Sequence, residues 1–268
     1  MTSRSLAAPA WALLALFVVY ASTGTWTSTG PGIWAPGYLS WPDLAQNIMI
    51  YLPFGALGGL TLRHRRQSAF ASTIEVAVIG VLFSLFVEVM QLYTIERTAS
   101  LTDVFAAALG STVGGMAAGT VGRLGDRAIA IARPSGVLDA ANTPVVLVLI
   151  GAMLLLAWWP YEPTLDVSWL AARARLLQRE PWQFEPVSTV AQALLYLCLS
   201  LAVALSADRL RTFEAMLAGV GVALTTAVVI DAGQLAMGSQ PIGLAGLAAQ
   251  IAGALSGGAL FAMCRVPK

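Results

Sequence analysis

Charged residues are scarce in this chain, and their scarcity decides the class of protein. Only 11% of the 268 residues are Asp, Glu, Lys or Arg, whereas 57% are hydrophobic. Soluble domains carry about 25% charged residues, so the composition excludes an ordinary soluble domain and predicts a polytopic membrane protein. The formal net charge is +1 and no long basic run occurs. We therefore expect no nucleic-acid partner.

Histidine and cysteine, which often serve as catalytic or metal-binding residues, are also rare. The chain has one histidine, His64, and two cysteines, Cys198 and Cys264, which fall in separate apolar runs. The cysteines are typical of small buried hydrophobic residues rather than of a disulfide or a metal pair. A lone histidine among arginines argues against a serine–histidine triad, and no phosphate-cradling glycine loop is present. We expect no cofactor, no metal and no enzyme, although acid-only chemistry by Glu88 and Asp103 stays open.

Long hydrophobic runs are abundant instead. A membrane span needs about 20 mostly apolar residues, and the sequence predicts an all-α protein with eight transmembrane helices. These lie at about 7–23, 43–62, 73–94, 102–121, 144–159, 188–206, 213–236 and 244–263. For the first run a cleaved signal peptide is the alternative, but its apolar core is long and no clear cleavage site precedes Thr23. The amphipathic stretch Tyr161–Pro186 predicts a helix lying along the membrane surface.

The arginines indicate how the spans are oriented. If the N-terminus lies inside, the inner segments contain most of the basic residues: Arg63, Arg65, Arg66, Arg123, Arg127, Arg133, Arg209, Arg211, Arg265 and Lys268. The outer loops after spans 1, 3 and 7 contain Arg97 alone, and only the loop 161–187 departs from the pattern. The positive-inside rule therefore predicts that both termini are cytoplasmic.

The chain repeats itself at two close offsets. Glu88 and Asp231 are 143 residues apart, as are Gln91 and Gln234, while Tyr51 and Tyr196 are 145 apart. Glycines follow the first offset in pairs, namely Gly110 with Gly253 and Gly114 with Gly257. The pattern predicts two tandem four-helix units in the same orientation, 1–121 and 144–268, joined by a cytoplasmic linker at 122–143.

A polar constellation marks the end of the third span in the first unit. Ser84, Glu88 and Gln91 share one helix face because they are spaced by four and three residues. A carboxylate in an apolar run needs a partner or a proton. Ser100 and Asp103, just beyond, are spaced as a capping box that begins the next helix. The glycine faces of the last helices are typical of close helix packing.

At these residues the chain resembles the VanZ-like family of small bacterial membrane proteins. The family pattern has an Asn and a Pro-x-Gly in an early span, then Ser-x-x-x-Glu-x-x-Gln, an Arg, and a helix reading Asp-x-x-x-Asn-x-x-Gly-x-x-x-Gly. The first half provides Asn47, Pro53, Gly55, Ser84, Glu88, Gln91, Arg97, Asp103, Gly110 and Gly114. Ala107 stands where the family has Asn, which puts any role of that position in doubt.

The second half resembles the same family in a degenerate form. It keeps Gln192, Asp231, Gln234, Gln250, Gly253 and Gly257 but lacks the Arg and the helix-start Asp. The resemblance implies a bacterial cytoplasmic membrane protein of the cell envelope. It also implies a link to antibiotic resistance, namely low-level resistance to the glycopeptide teicoplanin.

The residues and the resemblance together give one site hypothesis. Asn47, Glu88, Gln91, Arg97 and Asp103 are expected at one depth near the outer surface, where they would line a polar pocket for an amphipathic envelope lipid or glycopeptide. Gln192, Asp231, Gln234 and Gln250 would form its counterpart in the second unit. The alternatives are a non-catalytic scaffold for envelope biosynthesis or sorting, in which Glu88 only holds the bundle together, and a proton-coupled transporter. The partners that the sequence indicates are membrane lipid and, on this hypothesis, a lipid-linked or glycopeptide ligand, whereas no protein partner can be derived from it.

Overall fold

The structure is a computed structural model, and the residues that it describes form an all-α protein. The structure describes residues 6–22, 41–63, 68–94, 99–132, 142–158, 186–207, 210–236 and 243–265, with a few more between 168 and 182. Within these ranges the chain forms eight helices and no β-strand. They are α1 (Ala7–Ser22), α2 (Trp41–Arg63), α3 (Ala69–Gln91), α4 (Leu101–Ala132), α5 (Thr143–Ala157), α6 (Pro186–Ser206), α7 (Thr212–Ala236) and α8 (Leu244–Cys264).

Most of these helices have the length and apolarity of membrane spans. Five qualify on both grounds, within α3, α4, α6, α7 and α8, whereas α1 and α5 are apolar but shorter. Helix α2 is long enough at 23 residues, but Gln46 and Asn47 interrupt its apolar run. Large apolar side chains point outward, including Phe70 at 76% and Phe105 at 67% exposure. The prediction of an all-α polytopic membrane protein is confirmed, because such a surface requires lipid around it.

The chain divides into two compact units, Thr2–Asp126 and Arg127–Lys268. In the first unit α1 packs against α2 and α3, and α2 packs against α3. Helices α2 and α4 run in the same direction, because Ile48 lies beside Gly110 and Leu52 lies beside Gly114. Backbones approach this closely only where a residue has no side chain, so the predicted glycine face is a packing face.

The second unit repeats this helix pairing. Helix α6 packs against α7 and α8, and α5 packs against α6 and α7. The carbonyl of Ala193 lies against Gly253 and that of Leu197 against Gly257. The contacts match between the units at the two sequence offsets. The residues that provide the carbonyls, on α2 and on α6, are 145 positions apart, and the glycines, on α4 and on α8, are 143 positions apart. That the second unit is a VanZ-like copy stays a prediction.

An aromatic cluster fills the middle of the first unit. Phe54 stacks on Phe83 with ring centroids 5.2 Å apart, and Trp11 approaches Phe54 at 5.3 Å. Tyr51 adds an edge contact to Phe54 at 5.8 Å. Offset and tilted ring pairs of this kind add about 0.5–1.5 kcal/mol each beyond the burial of their area. The cluster fixes the ring of Tyr51, whose hydroxyl belongs to the polar site described below.

Several helix ends differ from the predicted spans. Helix α4 continues to Ala132, beyond the predicted end at 121, because helix formers continue after the apolar run ends. Helix α3 begins at Ala69 rather than near 73, since the Ser68 hydroxyl accepts a hydrogen bond from the Ala71 N–H at 3.1 Å and caps it. Helix α2 continues through Pro53, so it is not the broken helix that a transporter would favour. The predicted surface helix at 161–186 lies largely outside the described residues.

Candidate polar site of the first unit

Glu88 is the centre of the predicted site. It lies near the end of α3 and is only 2% exposed. Its Oε2 accepts a hydrogen bond of 2.6 Å from the backbone N–H of Ser100, the residue that precedes α4. Through this bond Glu88 joins the end of α3 to the start of α4.

This bond changes how the start of α4 is capped. The Ser100 hydroxyl accepts a hydrogen bond from the Thr102 N–H at 3.2 Å, as a residue before a helix commonly does. In a capping box, the acid three residues later would accept the N–H of Ser100. Here Glu88 accepts that N–H. Sequence patterns missed this contact because the two residues are separated by 12 positions.

Asp103 and Tyr51 complete the polar cluster around Glu88. Asp103 lies in the first turn of α4, three residues after Ser100, whose N–H bonds Glu88. The hydroxyls of Tyr51 and Ser84 share a hydrogen bond. Sequence reasoning did not propose Tyr51 as a site residue, although its match to Tyr196 was a usable signal. We call Tyr51, Ser84, Glu88 and Asp103 the carboxylate cluster.

Gln91 bonds a different part of the unit from Glu88. It is 7% exposed, and its Nε2 donates a hydrogen bond of 3.1 Å to the carbonyl of Ser22, at the end of α1. The last carbonyls of a helix lack intrahelical partners, so this bond ties α1 to α3. Gln234 does the same in the second unit, where its Nε2 donates to the carbonyl of Ala157 at 3.1 Å.

Two further residues of the predicted site, Asn47 and Arg97, are not among the residues of the carboxylate cluster. Asn47 is half-buried on α2, one residue before Ile48, whose carbonyl lies against Gly110. Within the described ranges the structure shows no hydrogen bond from Asn47 to the carboxylate cluster. Arg97 lies outside the described residues. The structure therefore places Glu88 against the start of α4, where Asp103 lies, and directs Gln91 to α1.

The second unit has its own polar group with a different bonding pattern. Asp231 Oδ1 accepts a hydrogen bond of 3.0 Å from Gln250 Nε2. Gln192 lies beside α8, with its Oε1 facing Gly246. Among the described residues four buried oxygens here have no hydrogen-bond partner: Gln192 Oε1, Tyr196 Oη, Ser200 Oγ and Gln250 Oε1. Buried polar atoms of this kind are commonly satisfied by ordered water.

The carboxylate cluster has the chemistry of a binding site for a polar or cationic group. An ionised carboxylate in an apolar bundle is costly unless a hydrogen-bond donor or a cation pairs with it. A group that donates hydrogen bonds or carries positive charge would lower this cost. The cluster offers carboxylate and hydroxyl oxygens from three different helices, α2, α3 and α4.

Comparison with known proteins gives one match. Residues 7–121 match the VanZ/LLP1 family model. No curated protein and no solved structure matches the chain. The resemblance to the VanZ-like family is thus confirmed over the first part of the chain, which holds the carboxylate cluster, and the match does not extend to the second unit.

Proposed function

We propose that the first unit is a membrane-embedded binding site for an amphipathic cell-envelope molecule, a lipid or a glycopeptide. The observation that carries this proposal is the burial of the Glu88 carboxylate, 2% exposed, near the end of a helix that qualifies as a membrane span. The ligand's polar head group would meet the carboxylate cluster, and its apolar part would remain among the lipid tails.

Energetics support a ligand over a purely structural role for both acids. An ionisable side chain inside a membrane bundle is costly and is seldom present without a function. A head group with an ammonium or several N–H donors would stabilise a buried carboxylate such as that of Glu88.

A membrane scaffold is the second candidate, and two contacts favour it. Glu88 and Gln91 both bond backbone groups of neighbouring helices. Such bonds hold a bundle together whether or not a ligand is present. On this alternative any phenotype depends on the amount of folded protein and not on the charge of Glu88.

The test separates charge from folding. Glu88→Gln keeps an amide oxygen that can accept the Ser100 N–H but removes the charge, and Asp103→Asn does the same for the second acid. Glu75→Gln is the matched control, since Glu75 lies exposed on the same helix. Membrane levels, teicoplanin susceptibility of a bacterial host and the envelope molecules that co-purify would be measured for each variant.

The binding proposal has a definite expected result. Glu88→Gln loses the resistance and the co-purifying molecule at an unchanged protein level, whereas Glu75→Gln retains both. Arg97→Ala is expected to act like Glu88→Gln. A normal membrane level of Glu88→Gln together with full resistance would contradict the proposal. Resistance that varies only with the amount of protein in every variant would support the scaffold alternative.

A further inference from the structure

A groove of about 600 Å³ lies on the first unit, toward the end of α3 opposite to Glu88. The first three turns of α3 form one wall, from Ala69 to Val78, and Thr112 and Met116 of α4 form the other. Most of the side chains that border it are apolar, and several face outward, with Phe70 at 76% and Met116 at 64% exposure. Both walls belong to helices that qualify as membrane spans.

The position of this groove determines what can fill it. Exposed apolar side chains on membrane-spanning helices face lipid tails rather than water. The stretch from Ala69 to Val78 rises about 13 Å along the helix axis, so the groove is elongated in the direction of an acyl chain. An apolar groove of this shape in a lipid-facing surface fits one acyl chain lying along α3.

Arg63 closes the groove at one end. Its Nε donates a hydrogen bond to Ser72 Oγ and its Nη2 donates one to the carbonyl of Gly115, both at 3.4 Å. Its Nη1 lies over Gly119, where the missing side chain makes room for the guanidinium. Both bonds are long and leave further N–H groups available. Within the described residues no carboxylate pairs with Arg63.

The guanidinium lies where a lipid head group would be. Helix α2 ends at Arg63 and α3 begins at Ala69, so this end of the unit is a membrane boundary. Arginine binds phosphate oxygens in a bidentate manner. Basic pockets between membrane helices commonly bind anionic head groups.

We propose that this groove binds one anionic phospholipid, with its phosphate on Arg63 and an acyl chain along α3. On the predicted orientation the lipid belongs to the cytoplasmic leaflet. The site is separate from the carboxylate cluster, which lies near the other end of α3, and it does not depend on the proposed function.

The experiment compares lipids and matched arginine variants in the full-length protein. The purified protein is delipidated, and retention of phosphatidylglycerol or of phosphatidylcholine with the same acyl chains is measured by native mass spectrometry and by the shift in thermal unfolding. Arg63→Gln removes the charge, and Val78→Trp fills the groove while keeping Arg63. Arg123→Gln is the control, because Arg123 is an exposed arginine of α4 that bonds only Thr120 among the described residues.

We expect that only the variants that change the groove lose the preference for phosphatidylglycerol. The unaltered protein and Arg123→Gln retain phosphatidylglycerol about tenfold more strongly than phosphatidylcholine, and Arg63→Gln and Val78→Trp lose this preference. Glu88→Gln keeps it, which separates this site from the carboxylate cluster. If Arg63→Gln fails to fold, Val78→Trp alone decides the question.

Two results would overturn the proposal. Equal retention of both lipids by the unaltered protein would show that the protein does not recognise the charge of the head group. Stabilisation by inorganic phosphate equal to that by phosphatidylglycerol would show that the site takes a free anion and not a lipid.

Discussion

At the scale of single residues, the bond from the Ser100 N–H to Glu88 Oε2 is the contact on which the end of α3 depends. Glu88→Ala removes the acceptor and leaves that N–H without this partner in a half-buried site. We expect a loss of about 1–3 kcal/mol in the free energy of unfolding. Glu88→Gln should cost clearly less, because its amide oxygen can accept the bond. Unfolding of the detergent-solubilised protein measures the difference, and equal losses in the two variants would contradict it.

Gln91 and Gln234 provide a second prediction at this scale. Each donates one hydrogen bond of 3.1 Å to the last turn of the first helix of its own unit. Gln91→Ala and Gln234→Ala are therefore expected to cost about 1 kcal/mol each. Gln46→Ala, an exposed glutamine of α2, serves as the control and should cost much less. A loss in only one of the two variants would show that the bonds are not equivalent.

Sequence reasoning found most of these residues but not their contacts. Helical spacing placed Ser84, Glu88 and Gln91 on one face, because that spacing is local. It could not show that Gln91 bonds Ser22 or that Glu88 takes the N–H of Ser100, since those contacts depend on how three helices pack. Tyr51 was overlooked because a tyrosine in an apolar run more often belongs to the core.

At the scale of helices, glycines set how closely α2 approaches α4 and α6 approaches α8. A Cβ at Gly110 would lie 2.5 Å from the carbonyl oxygen of Ile48, and one at Gly253 would overlap the carbonyl of Ala193. Gly110→Ala and Gly253→Ala must therefore push the helices apart, and we expect each to cost about 1–3 kcal/mol through overpacking. Unfolding measurements on both variants test this.

Two glycines with open surroundings are the controls for that prediction. Gly122 on α4 and Gly221 on α7 have no atom within 4 Å of an added Cβ. Alanine is the better helix former by about 0.5–1 kcal/mol, so Gly122→Ala and Gly221→Ala should be neutral or stabilising. If all four variants lose stability alike, helix approach is not the cause.

The helices themselves were largely predictable from the sequence. Long apolar runs located α6, α7 and α8 to within about two residues, because apolarity and span length coincide there. Helix α4 was predicted too short, since hydropathy reports where the membrane ends and not where the helix ends. The Ser68 cap shifted the start of α3 upstream of the first strongly apolar stretch.

At the scale of the whole molecule, each unit contains a pair of helices that run in the same direction. Helices α2 and α4 form this pair in the first unit, and α6 and α8 form it in the second. One helix lies between the members of each pair along the chain, so a membrane must be crossed twice between their starts. This direction agrees with the even number of spans that the sequence predicts for each unit.

The arginine distribution predicts which side of the membrane holds the termini, and labelling can test this prediction. The loop after α2 is predicted to be cytoplasmic and the loop after α7 to be external, so Gln67→Cys and Gln240→Cys form a matched pair. Both positions lie outside the described residues. Cys198 and Cys264 are first replaced by serine, because Cys264 is exposed and would react. A membrane-impermeant maleimide on intact cells should then label Gln240→Cys but not Gln67→Cys, and permeabilised cells should label both. The opposite pattern in intact cells would reverse the orientation, since it would place Arg63 and the basic residues after it outside, against the positive-inside rule.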